Sequence, residues 1–145
     1  MSYKMWCSYG YGICVDDIRE HNVSRLEELL ELAPELQGRM RNWLLEKGTA
    51  YPDWDDYMEY DTDYDLGLAV ILKEAILEIE GIELTACDHF ECKKYLIYQP
   101  SYPWNLSEQE RNLTEKDVWE LLQRYVGILT GEPVAVAHQA VQNGG

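Results

Sequence analysis

Cys87, His89 and Cys92 sit together in Cys87-Asp88-His89-Phe90-Glu91-Cys92, and with Cys7 or Cys14 they could offer soft ligands to zinc. The spacing matches none of the common zinc-ribbon or finger patterns, and no CxxC pair is present. On strands, such cysteines act more often as small buried apolar groups. Asp61, Asp63 and Asp65 stand at alternate positions, like the carboxylates that open an EF-hand calcium loop. Two departures weigh against calcium: the glycine, Gly67, is the seventh loop residue instead of the sixth, and the twelfth is Leu72 instead of a bidentate glutamate. Acids placed just before a helix also complement the positive end of its dipole. Asp16-Asp17 could form a carboxylate pair for general acid–base work. Neighbours on a strand face opposite ways, however, and Asp17 can equally begin a turn. His21, His89 and His138 fall in separate segments, and no G-x-S-x-G, HExxH or P-loop fixes a reaction.

The stretch YPDWDDYMEYDTDYD, residues 51–65, carries seven acids and five aromatics in fifteen positions, and no Lys or Arg occurs from Gly48 to Leu72. Duplex DNA presents one charge per ~1.7 Å of axis. Asp53, Asp55, Asp56, Glu59, Asp61, Asp63 and Asp65 give carboxylates at comparable density. The interleaved Trp54, Tyr57, Tyr60 and Tyr64 could anchor a protein partner. A basic, phosphate-binding groove on another protein is the complement of such a surface. The competing reading has the aromatics packed inward and the acids facing water.

The whole chain has a net charge of −15, from 12 basic and 27 acidic residues among 145. That field repels DNA, RNA and anionic membranes and attracts basic surfaces. Direct nucleic-acid binding is therefore excluded, and KYLIYQP does not resemble the RNP1 motif of RNA-binding sheets. At 46% apolar and 12% aromatic residues the chain has material for a core, unlike an acidic disordered tail. The longest apolar run, Leu66 to Leu72, is far short of a membrane span. With no signal-peptide layout at MSYKMWCSYGYGICVDD, the expected location is the cytoplasm and no cofactor is implied.

These residues need elements to position them. Residues 4–15 alternate, with Met5, Cys7, Tyr9, Tyr11, Ile13 and Val15 on one face, which predicts a strand with Gly10 and Gly12 on its other face. Ser24-Arg25-Leu26-Glu27 reads as a capping box that starts a helix. Pro34 opens a second helix, which carries Leu36, Met40, Trp43 and Leu44 and stops at Gly48. Trp54, Tyr57 and Met58 predict a short helix from Asp53. LGLAVILKEAILEIEG predicts the most buried helix, ended by Gly81. Alternation at Ile82, Leu84 and Ala86 and the run KKYLIYQP predict a hairpin, and PSYPWNLSEQERN a loop. Thr114-Glu115-Lys116-Asp117 resembles a capping box with Asp in place of Glu. It leads a helix with Val118, Leu121, Leu122, Tyr125, Val126 and Leu129 on its apolar face. PVAVAHQAV predicts a last strand and QNGG, residues 142–145, a frayed end.

The order strand, helices, strand, strand, helix, strand predicts a single α+β domain over residues 1–145. Its plan is an antiparallel sheet of about four strands of the split βαββαβ, ferredoxin-like type, with a helical insertion over about residues 24–80 after the first strand. Short acidic chains of this kind resemble phage and mobile-element proteins that block host defence nucleases, anti-CRISPR proteins among them. The likeness lies in size, charge and the acidic stretch; it transfers no catalytic residues and implies a stoichiometric inhibitor, usually without a cofactor. The expected function is thus a non-enzymatic binding protein, monomeric or homodimeric, that docks on the nucleic-acid-binding surface of a basic protein. The alternative is a small-molecule or nucleotide-binding domain with a pocket near the Tyr/Gly-rich first strand. A plain oligomerisation module, built on an edge strand or on Trp6 and Trp104, is the third.

Overall fold

The computed structural model describes residues 6–60, 67–88, 94–99 and 113–143. It is an α+β structure with strands β1 (Trp6–Cys14), β2 (Thr85–Asp88), β3 (Lys94–Tyr98) and β4 (Ala137–Asn143). The helices are α1 (Val23–Glu31), α2 (Pro34–Glu46), α3 (Trp54–Met58), α4 (Leu68–Glu80) and α5 (Glu115–Leu129). The strand order is β2-β3-β1-β4, and each neighbouring pair is antiparallel. α1 to α4 all lie between β1 and β2 in the chain. Of the end expected to fray, Gln142 lies opposite Cys7 and Asn143 opposite Trp6, and residues 144–145 lie outside the described residues. A long antiparallel partner satisfies backbone groups that a free terminus would leave to water.

At its described end the alternation of the first strand sorts residues as expected, while Met5 and the side chains of Cys7 and Tyr9 lie outside the described residues. Ile13 and Val15 are buried against the helices, with Tyr11 packed at their margin and Leu96 and Tyr98 beside them. α1, α2, α4 and α5 add Leu26, Leu29, Leu36, Met40, Ile71, Leu72 and Leu122 to the same core. The opposite face is not flat. β2 and β4, the two outermost strands, also approach each other. Helices fill one face, so the curl closes the other. There Ile97 is wholly buried, with Cys87 and Tyr95 against it. Register explains how: Thr85, Ile97, Gly12 and Ala137 form one row across the sheet, so small residues surround the single large one. A side chain at Gly12 would strike the Leu96 carbonyl and the Ile97 backbone.

Helix ends follow local chemistry in part. Thr114 and Asp117 exchange side-chain and backbone bonds at the start of α5, the capping box read from sequence. The hydrogen bond from the Thr114 N–H holds the Asp117 carboxyl below its usual range. α1 starts earlier than the Ser24 box implies. Asn22, in extended conformation, accepts from the N–H groups of Ser24 and Arg25, and Asn is among the strongest N-caps. α2 has no cap of its own behind Pro34. The Glu78 carboxylate of α4 accepts from the N–H groups of Glu35 (3.1 Å) and Leu36 (2.9 Å) instead.

At its other end α2 finishes in a paired-turn motif. Gly48 takes φ 78°, the Thr49 N–H returns to the Leu44 carbonyl and the Gly48 N–H to that of Leu45. This turn throws residues 49–52 back across the end of α2 and toward α3. Among the described residues no helix is long and apolar enough to cross a membrane.

Candidate functional site

α3 is the centre of the acidic stretch, and its five residues divide cleanly. Asp53 caps the helix by accepting from the Asp56 N–H, and Asp56 accepts from the Asp53 N–H, each at 2.9 Å. Trp54 and Tyr57 then point into the core, at 8% and 7% exposure. This corrects the expectation that they anchor a partner. A five-residue helix cannot hold itself together in water, and burying its two largest apolar groups is what docks it. Tyr60 is half-buried, edge-on to Trp43 at 5.5 Å, and its hydroxyl is the main cause holding the Arg39 guanidinium above its usual pKa. Glu59 pairs with Lys47, whose ammonium sits 4.9 Å from the Trp43 ring centre. That leaves Asp53 at the cap and Asp55 on α3 as exposed acids with no ion pair among the described residues, while Asp56 is half-buried. Asp61, Asp63, Tyr64 and Asp65 lie outside the described residues.

α3 separates two concave regions. On one side, a cleft of about 320 Å³ at the end of β1 is lined by Asp16, His21, Trp54, Asp55 and Lys94 over a base of Val15, Ile18 and Leu68. Asp16 and Asp17 sit in the 3-10 turn that follows β1, and both are exposed. The Asp16 carboxylate accepts from the Lys94 N–H at 3.4 Å, and the His21 ring stacks on Trp54, centroids 4.8 Å apart and nearly parallel. On the other side, a groove of about 330 Å³ runs between α1, α2 and the 49–52 segment. Leu30, Met40, Leu44 and Tyr57 form its floor, with Glu27, Glu31 and Arg41 along the walls. The Tyr57 hydroxyl points to the Glu27 carboxylate at 3.5 Å. Burial, then the Glu27 charge, push that hydroxyl above its usual pKa, so it stays a donor.

The metal candidates resolve less far. Cys87 is buried on β2, and Tyr95 on β3 lies between it and Cys14 on β1. Burial, and then contact with Cys14, push the Tyr95 hydroxyl up. His89 and Cys92 lie outside the described residues, and Cys7 is described in its backbone only. Among the described residues no group of three His, Cys, Asp or Glu side chains is placed to hold a metal ion. Leu72, at the twelfth position of the calcium-like run, is fully buried in α4.

Sequence reasoning missed Leu45 and Tyr51, which are 72% and 95% exposed beside the groove. A signal was present for Leu45. Leu36, Met40 and Leu44 recur at i, i+4 and i+8, and Leu45 falls off that stripe. Glu27 and Glu31 were likewise overlooked on a helix read only for its apolar face. The chain matches no family model, no curated protein and no solved structure.

Proposed function

We propose that this chain is a non-enzymatic acidic binding protein that docks on the basic, nucleic-acid-binding surface of a partner protein. The observation that carries this reading is the shared acidic flank of α1 and α3. Glu27, Glu28 and Glu31 on α1 and Asp53 at the start of α3 are all exposed, and Tyr57 touching Glu27 brings the two helices together, while Asp55 stands exposed on the other side of α3. With Trp54 and Tyr57 buried beneath, the acids stand on a fixed scaffold and do not need to be ordered on binding. A net charge of −15 supplies the long-range attraction to a basic surface. A phage or mobile-element inhibitor that imitates nucleic acid is the biological setting this chemistry suits. The strand order and all-antiparallel pairing support assigning the fold to the split βαββαβ, ferredoxin-like plan.

The test is affinity capture of wild type and a Glu27→Gln, Glu28→Gln, Glu31→Gln variant from bacterial lysate. The proposal expects wild type alone to retain a nucleic-acid-binding protein, released both by salt and by added duplex DNA. Screening shortens from ~10 Å at 0.1 M salt to ~3 Å at 1 M, so release should be steep. Retention of the same protein by the neutralised variant refutes the reading.

A second reading, a small-molecule or nucleotide site, is favoured by the cleft at the end of β1, where His21, Asp16, Asp55 and Lys94 surround the edge of Trp54. A nucleotide that raises the melting temperature and shifts the His21 ring resonances would support it. Silence across a nucleotide panel would remove it.

A further inference from the structure

We infer that the groove between α1 and α2 is the contact point of this docking surface, and that it takes a partner segment with a large apolar side chain flanked by Lys or Arg. The inference rests on the acidic-docking reading and gives it a place. Trp54 and Tyr57 are buried, so the anchoring apolar contact must come from elsewhere. Leu45 at 72% exposure and Tyr51 at 95% are the two most exposed large apolar residues described, and both flank this groove. Leu45 lines it directly, and Tyr51 lies between Ala50 and Pro52, which also line it. The Gly48 turn sets the 49–52 segment there, so the lip is shaped by backbone hydrogen bonds.

The groove is concave, has an apolar floor, and carries the pattern of a protein contact: apolar centre, charged rim. The rim decides the partner's sign. Glu27 and Glu31 line it, against Arg41, and Glu28 and Asp53 stand exposed nearby on α1 and at the start of α3. The surplus is negative, so the flanking residues of the partner are basic. An apolar side chain reaching Leu30, Met40 and Leu44 would cover Leu45 as it enters, with Tyr51 exposed next to the lip formed by Ala50 and Pro52.

The probe is a sixteen-residue helical peptide with Leu on one face and Lys on the other, compared with a version carrying Ser for Leu. Binding is followed by amide chemical shifts of the 145-residue protein. The expected result is shifts confined to α1, α2 and residues 49–52, and at least tenfold weaker binding for the Leu45→Ser, Tyr51→Ser variant. Glu27→Gln with Glu31→Gln should weaken binding severalfold at low salt and make little difference at high salt. The Ser peptide should bind at least tenfold more weakly than the Leu peptide. If both peptides bind alike, or the Leu45 and Tyr51 variant binds as wild type does, the groove is not the contact. The acidic-docking reading survives that outcome, because binding by charge persists. If neither peptide binds even at low salt, the groove inference and the docking reading fall together.

Discussion

Gly12→Ala and Gly38→Ala are the same chemical change with opposite expected signs. A β-carbon at Gly12 would lie 2.7 Å from Ile97 Cα, with the Leu96 carbonyl oxygen closer still. Carbon contacts are favourable only near ~3.5–4.0 Å, so β1 and β3 would have to part by about 1 Å. Both obstacles are backbone, which cannot rotate away as a flexible side chain can. Overpacking costs about 1–3 kcal/mol, and this site belongs at the upper end. The alanine recovers up to ~1 kcal/mol by restricting the unfolded chain, leaving a net loss of about 2 kcal/mol. For a chain of 145 residues, at ~2.1 cal/mol/K of unfolding entropy each, that lowers the melting temperature by about 7 °C. Gly38 lies inside α2, and its β-carbon would meet nothing within 4 Å. Alanine there should add ~0.5–1 kcal/mol, or about 2–3 °C. Urea and thermal unfolding followed by circular dichroism measure both. A Gly12→Ala protein within ~0.5 kcal/mol of wild type would refute the account of the curled sheet.

Three further outcomes follow from contacts between helices. Tyr125 donates to the Glu80 carboxylate at 2.6 Å, and Arg124 holds the same oxygen at 2.9 Å. Tyr125→Phe should therefore cost about 1.5 kcal/mol in urea unfolding, the low end for a bond to a charged group, because Glu80 keeps a partner. Equal stability of the two proteins would remove that bond from the account. Burial, then Glu80, push the Tyr125 hydroxyl up to about 12 from 10.0 in a free side chain. The folded value lies above the unfolded one, so the stability is complete below pH 10 and declines as pH rises toward 12. Tyr125→Phe should flatten that alkaline decline in the urea midpoint, with Tyr57 and Tyr95 among the groups that still contribute, and an unchanged slope would contradict the assignment. Glu78→Ala removes the acceptor shared by the first turn of α2 and should cost ~1–2 kcal/mol, with faster hydrogen exchange at the Glu35 and Leu36 amides. Undiminished protection at those amides would mean that water caps α2 equally well.

Much of the fold was legible from periodicity. Period-two alternation places Ile13 and Val15 in the core, and the 3.6-residue stripes of α1, α2 and α5 match their buried faces. The turn before α5, the proline at the start of α2 and the glycines after α2 and α4 depend on bonds within a few residues, so local sequence specifies them. The candidate site was legible only in its charge. The acids of residues 53–59 announced themselves, but the same spacing that makes Trp54 and Tyr57 look like anchors also makes them a core-facing stripe. Which holds depends on whether a helix elsewhere offers an apolar surface to receive them. Residues far apart in the chain decided the rest. Glu78 caps a helix that begins 44 positions earlier, at Pro34. Gly12 admits the backbone of β3, and Leu45, Ala50 and Pro52 become a lip because the Gly48 turn folds the chain beside α1. Sequence thus determined which faces are apolar, where chain direction changes and the sign of the field. Tertiary structure alone decided which apolar groups found partners and which were left facing water, because those partners lie too far along the chain for any local pattern to encode.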